Sequence, residues 1–192
     1  MKTFEELGVS EEIRRAIEEL GFVHPMPVQE EVIPYLLGNQ NDVIALAQTG
    51  TGKTAAFGIP VLQRIDPTSM ETQALVLSPT RELCLQIADD LKDFSKHMEG
   101  IHIVAVYGGA SIENQIRQLR HGAQIIVATP GRLIDLMNRG KAKLDKVYNV
   151  VLDEADEMLN MGFSESINAI FEGVPTDRNT LLFSATMSKE IE

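Results

Sequence analysis

The sequence predicts an α/β fold, an open and mostly parallel sheet with helices on both faces. Three observations predict it. Six short runs rich in Val, Ile and Leu recur along the chain, apolar at consecutive positions, which is the mark of strands covered on both sides. Stretches with apolar residues at helical spacing lie between them. The alternation of the two is the βαβ repetition that winds a parallel sheet. A length of 192 residues suits a single domain.

Each element has its own signal. Ile13, Ala16, Ile17 and Leu20 stand at i, i+3, i+4, i+7 behind Ser10, a residue suited to cap a helix. DVIALA (42–47) and ALVLS (74–78) read as strands, followed by a helical stripe of Leu83, Ile87, Leu91 and Phe94. IHIVAVY (101–107) is the next strand, and Ser111 caps a helix carrying Ile112, Ile116 and Leu119. QIIVAT (124–129) leads to Thr129-Pro130, a cap followed by the proline favoured at the first helical position, then Leu133, Ile134 and Met137. NVVLD (149–153) and TLLFSAT (180–186) complete the strands. In such sheets, ligands bind beyond the carboxyl ends of the strands.

Composition narrows the function classes. Hydrophobic residues make up 44 % and charged residues 23 %, which excludes a disordered chain. No apolar run approaches the roughly 20 residues that span a bilayer, so no membrane partner is expected. The N-terminus, MKTFEELGVSEE, lacks the apolar stretch of a secretory signal. One cysteine, Cys84, leaves no intramolecular disulfide and no multi-Cys zinc site, and a reducing cytoplasmic setting is expected. Cys84 itself reads as a small buried hydrophobe. His24, His97, His102 and His121 show no metal-ligand spacing. The net charge of −11 opposes simple electrostatic binding of nucleic acid. Only residues 111–146 are positive, at net +4, through Arg117, Arg120, Arg132, Arg139, Lys141, Lys143 and Lys146.

Two motifs carry chemistry. AQTGTGKT, Ala47 to Thr54, follows a strand and opens a helix, the context a phosphate-binding loop requires. Gln48, Thr49, Gly50, Thr51 and Gly52 form its turn. The glycines let the backbone present several N–H groups to one anion, at a helix N-terminus that favours negative charge. Lys53 can reach the β- and γ-phosphates, and the Thr54 hydroxyl can ligate Mg²⁺. Ala47 stands where the general pattern has its first glycine. The second motif, Asp153-Glu154-Ala155-Asp156, ends an apolar strand. Asp153 is placed to hold Mg²⁺ through water, and Glu154 to orient or deprotonate an attacking water.

Together these motifs resemble the DEAD-box RNA helicases, specifically their N-terminal RecA-like domain, along essentially the whole chain. Phe4 lies 17 residues before GFVHPMPVQ (Gly21 to Gln29), which resembles the Q motif. AQTGTGKT resembles motif I, PTREL (Pro79 to Leu83) motif Ia, Gly108-Gly109 the GG motif, and TPGR (Thr129 to Arg132) motif Ib. DEAD (Asp153 to Asp156) resembles motif II, and Ser184-Ala185-Thr186 resembles motif III. Met26 stands where the family usually has Thr.

The resemblance implies a RecA-like P-loop fold, ATP and Mg²⁺ as cofactors, and RNA as partner. It implies that Gln29 reads the adenine edge while Phe4 stacks on the base. Pro79, Thr80, Arg81, Gly108, Gly109, Thr129, Gly131 and Arg132 would line the RNA backbone path, with little sequence preference. Asp156, Ser184 and Thr186 would couple nucleotide state to RNA binding. It also implies a division into a Q-motif helical region (1–37) and a P-loop core (38–192). Motifs IV, V and VI, which the family carries on a second RecA-like domain, have no counterpart here. The chain therefore reads as a fragment, expected to be a monomer and nearly inactive alone. Two other readings stay open: a nucleotide-responsive binding module without catalysis, and an ATP-driven DNA translocase.

Overall fold

The computed structural model describes residues 2–38, 42–46 and 51–186. Its six strands are β1 (Val43–Leu46), β2 (Ala74–Leu77), β3 (Ile103–Val106), β4 (Ile125–Ala128), β5 (Asn149–Asp153) and β6 (Asn179–Ser184). All six predicted strands are present: β5 keeps the bounds read from the sequence, β6 begins one residue earlier and ends two earlier, and the others are shorter by a residue or two at their ends. They form one sheet in the order β1-β6-β5-β2-β4-β3, and every pairing is parallel. Eight helices are described: α1 (Glu11–Glu19), α2 (Pro27–Gly38), α3 (Thr51–Gln63), α4 (Arg81–Phe94), α5 (Ile112–Arg120), α6 (Pro130–Asn138), α7 (Ala155–Asn160) and α8 (Ser164–Glu172).

Strand alternation sorts the core into two layers. Ala74, Val76, Ile125, Val127, Val151, Leu181 and Phe183 face a cluster built with α1, α2, α3 and α4. Leu75, Leu77, Ile126, Ala128, Val150 and Leu152 face a second cluster with α6, α7 and α8, and α5 packs partly against it. Cys84 lies fully buried in the first layer, with Sγ 3.2 Å from the Val127 carbonyl. Burial pushes its thiol up to about 12, so it is inert packing.

The predicted caps divide. Thr80 and Ser111 accept hydrogen bonds from Leu83 N–H (3.2 Å) and Asn114 N–H (3.3 Å). Ser10 and Thr129 occupy cap positions without a side-chain bond. Leu20, read as part of the first apolar stripe, is exposed at the end of α1, because the chain turns at Gly21, whose φ is +92°. β1 is an edge strand. Its Ile44 and Leu46 are 46 % and 62 % exposed, since no described element covers that face. No helix among the described residues is long and apolar enough to cross a membrane.

Candidate functional site

Among the described residues, the motif segments that follow the strands fall at the carboxyl rim of this sheet. β1 runs toward the loop that opens α3, β5 ends on Asp153 and β6 ends on Ser184. β2, β4 and β3 deliver Pro79-Thr80, Thr129 and Gly108-Gly109 beside them. Parallel pairing makes this unavoidable, because all six strands point the same way.

Lys53 sits in the first turn of α3, where helix N–H groups are unpaired. Its Nζ lies 2.7 Å from Asp153 Oδ1, with the two side chains 4 % and 0 % exposed. Asp153 Oδ2 has no hydrogen-bond partner among the described residues. Burial pushes the Asp153 carboxyl up, against the pull of the Lys53 ammonium. Thr54, next to Lys53, is also buried. A carboxylate and an ammonium therefore meet at the helix start that also carries the buried Thr54, and these residue types fit a hard divalent cation with a polyphosphate. Thr54 and Asp153 are the residues that would hold Mg²⁺. Gln48, Thr49 and Gly50 lie outside the described residues, as does the Thr51 side chain.

Gly52 is required by close approach. A Cβ there would stand 2.4 Å from Met26 Sδ and 3.5 Å from Gln29 Nε2. Gln29, only 1 % exposed, donates through Nε2 to the Gly52 carbonyl at 3.0 Å and accepts from Met26 N–H at 2.9 Å. Both faces of its amide are thus used, and they join the Q-motif segment to the phosphate-loop helix. A cleft of about 850 Å³ runs between α2 and β1 and reaches Gly52 and Lys53. Phe4, which the resemblance gives as the residue stacking on the base, packs into the core here. It is 6 % exposed, packs on Phe22 at 6.4 Å between centroids, and lines a different, smaller cleft. Apolar burial of a large ring outweighs presenting it to water.

Glu154 is the only non-glycine residue with positive φ among the described residues, at φ 54°, ψ 52°. A side chain in this left-handed region is strained. Burial pushes its carboxyl up. Lys53 pulls against that rise, and the charges of Asp153, Asp156 and Glu157 add to it. Asp156 moves the other way. Partial burial alone would raise it, but hydrogen bonds from Thr186, Ser184 and backbone N–H groups together hold it below the usual carboxylate range. Thr186 Oγ1 donates to Asp156 Oδ2 at 3.0 Å, and Ser184 Oγ donates to the Thr186 carbonyl at 2.6 Å. The end of β6 is thereby tied to the turn after β5.

On the other half of the rim, three segments converge on the loop after β3. Gly109 adopts φ +84°, and the Arg81 guanidinium lies 5.2 Å from the Tyr107 ring centroid. Arg132 Nη1 donates to the Ala110 carbonyl at 3.1 Å and to Gln115 Oε1 at 2.9 Å. Buried Gln115 also accepts from Tyr107 N–H (3.3 Å) and donates to the Tyr107 carbonyl (3.1 Å). Thr80 caps α4 and Thr129 holds the cap position of α6 without a side-chain bond, with Pro79 and Gly131 flanking them. Sequence reasoning missed Gln115 and Tyr107. A Gln on the buried side of an amphipathic helix is the signal that could have found the first. Replacing Gln115 by Leu leaves both Tyr107 backbone groups unpaired, and a loss of about 2–3 kcal/mol in urea unfolding is expected. A change below about 0.5 kcal/mol would mean that these bonds are not formed in solution.

Comparison with known proteins agrees with this geometry. The family model for DEAD/DEAH box helicase matches residues 26–192. The chain is 52 % identical over 189 residues to the ATP-dependent RNA helicase DeaD of Escherichia coli K12, covering 98 % of this chain and 30 % of that protein. It is 52 % identical over 191 residues to the DEAD-box ATP-dependent RNA helicase CshA of Geobacillus kaustophilus, covering all of this chain and 40 % of that one. Among solved structures, a DEAD box protein from Methanococcus jannaschii superposes with a TM-score of 0.93 at 43 % identity, over 98 % of this chain and 51 % of that one. Saccharomyces cerevisiae Dbp5 bound to RNA and ADP BeF3 superposes with a TM-score of 0.88 at 35 % identity, over 100 % of this chain and 48 % of that one. The chain thus spans 30 to 40 % of the length of these curated relatives.

Proposed function

Because this chain belongs to the DEAD/DEAH box helicase family, we propose that it is the nucleotide-binding, RNA-backbone-contacting half of an ATP-dependent RNA helicase. The observation that carries the reading is the buried contact of Lys53 with Asp153 at the start of α3, flanked by Gln29 and Glu154. Lys53 exchanges its carboxylate partner for the β- and γ-phosphates of ATP. Gln29 already bonds the Gly52 carbonyl and Met26 N–H, and its second Nε2 hydrogen and second Oε1 lone pair are the donor and acceptor left for adenine. Mg²⁺, when bound through Thr54 and Asp153, neutralises charge on the phosphate oxygens. Glu154, its carboxyl raised by burial, accepts the proton of the attacking water.

RNA lies along Pro79, Thr80, Arg81, Gly108, Gly109, Thr129, Gly131 and Arg132, held through phosphate and sugar rather than base edges. Asp156, Ser184 and Thr186 transmit nucleotide state across the rim. Within the chain, residues 1–37 form the Q-motif helical region and 38–192 the P-loop core, and the protein works as a monomer in the cytoplasm. A second RecA-like domain supplies the arginine that stabilises the transition state, worth about 10³–10⁵ in rate in other NTPases.

Two expectations follow for the 192-residue chain. Calorimetric titration with Mg·ADP and Mg·ATP should give weak but saturable binding. Hydrolysis should stay at background when single-stranded RNA is added. No saturable signal at millimolar nucleotide would overturn the site. RNA-stimulated turnover by the chain alone would overturn the need for a second domain.

A further inference from the structure

Most of the positive segment at 111–146 is not used by the site above. Arg132 belongs to the RNA rim, whereas Arg120, Lys141, Lys143 and Lys146 gather elsewhere, around a cleft of about 560 Å³ between α5 and the loop before β5. All four are exposed, and none forms an ion pair among the described residues. Unpaired cations collected at one spot are unexpected in a chain of net charge −11.

The floor of this cleft is apolar. Ile116 and Leu119 line it from α5, with Ala123, Ile126 and Ala142 beneath. Ile112, Ile116 and Leu119 of α5 remain only partly buried, while Ile87, Leu91 and Phe94 of α4 are fully covered. Met70, 43 % exposed, stands at the lip, and a flexible thioether adapts to varied apolar partners. We propose that this cleft docks an acidic amphipathic peptide segment of a partner protein. Its Leu, Ile or Phe side chains would enter the floor, and its carboxylates would meet Arg120, Lys141, Lys143 and Lys146.

The position separates this cleft from the nucleotide and RNA rim. Thr72, just before β2, donates to the carbonyl of Ala123, just before β4, at 2.7 Å. The cleft therefore lies at the amino ends of the strands, a strand length of about 13 Å from the carboxyl rim. A peptide fits better than RNA. The floor offers apolar surface rather than phosphate donors. Glu71 and Asp145 also stand on the lip, where they repel a uniform polyanion but not a peptide with spaced carboxylates. A second copy of this chain fits poorly, because its acidic amphipathic helix α1 already buries Ile13, Ala16 and Ile17.

The test uses fluorescence anisotropy with a labelled 14-residue helix-forming peptide carrying three Leu on one face and Glu elsewhere. Saturable binding is expected, weakened about tenfold or more by K141E/K143E and similarly by replacing the three Leu with Ser, while nucleotide titration is unchanged. Both lysines are exposed, so the variant folds, and circular dichroism checks this. The proposal is overturned by no saturation at 1 mM peptide, or by equal affinity of wild type and K141E/K143E. Displacement of the peptide by oligouridylate, with RNA affinity lost in K141E/K143E, would make the cleft a nucleic-acid groove and overturn it. Concentration-dependent dimers abolished by K141E/K143E in sedimentation would make it a self-interface and overturn it too.

Discussion

Lys53→Ala is expected to weaken ATP binding about 100-fold or more and also to destabilise the nucleotide-free chain by about 3–5 kcal/mol. The two losses have one cause. Lys53 is the partner of a fully buried carboxylate, Asp153, and removing it leaves that charge without compensation. The stability loss should depend on pH. Burial raises the folded Asp153 carboxyl above its ordinary 3.8, so in the window between the unfolded and folded values the folded chain holds a proton that the unfolded chain has released. Such a group contributes stability at acid pH, and that contribution is lost as pH rises through the folded value. Without Lys53 the folded value climbs further. The deficit of the variant should therefore be small near pH 4 and largest near pH 8. K53A/D153N should recover most of the stability but not the nucleotide affinity. Urea melts at both pH values read the first effect and fluorescent-nucleotide titration the second. A pH-independent deficit would show that the ion pair is not what Lys53 contributes to folding.

Glu154→Gln, made in the two-domain helicase proposed above, is expected to bind ATP normally and to slow hydrolysis by about 10²–10⁴. The amide keeps the size and shape of the side chain but cannot take a proton from water. Glu154→Gly separates chemistry from backbone strain. Its left-handed conformation suits glycine, so this variant should unfold later, by up to about 1 kcal/mol, while losing the same turnover. Single-turnover hydrolysis beside urea unfolding gives both readouts. Normal cycling of E154Q would remove Glu154 from the role of base. A destabilised E154G would mean that the side chain, rather than the turn, holds this corner together.

Much of the fold was legible because a parallel sheet buried on both faces writes itself as apolar runs, and all six strands carry such a run. The helices were less even. α4 declares itself by a single stripe, since only one of its faces meets the sheet. α3 does not, because Ala55, Ala56, Phe57, Ile59, Val61 and Leu62 are buried around its whole circumference, and its Pro60 suggests a break. α2 hides behind Pro34 in the same way. The motifs by themselves single out Lys53, Asp153 and Glu154, and the family resemblance adds Gln29. They could not reveal that Gln29 spends both faces of its amide on the backbone, or that Lys53 rests on Asp153. These are tertiary contacts between segments 23 and 100 residues apart, and residue type alone carries no trace of them.

The flank of β1 that no described residue covers bears on how the purified chain would behave in a test tube. Its outer backbone groups and the side chains of Ile44 and Leu46 offer a template on which a neighbouring molecule can add its own strand. Clumping at high concentration should start there, and a gatekeeper lysine in place of Leu46 should delay it.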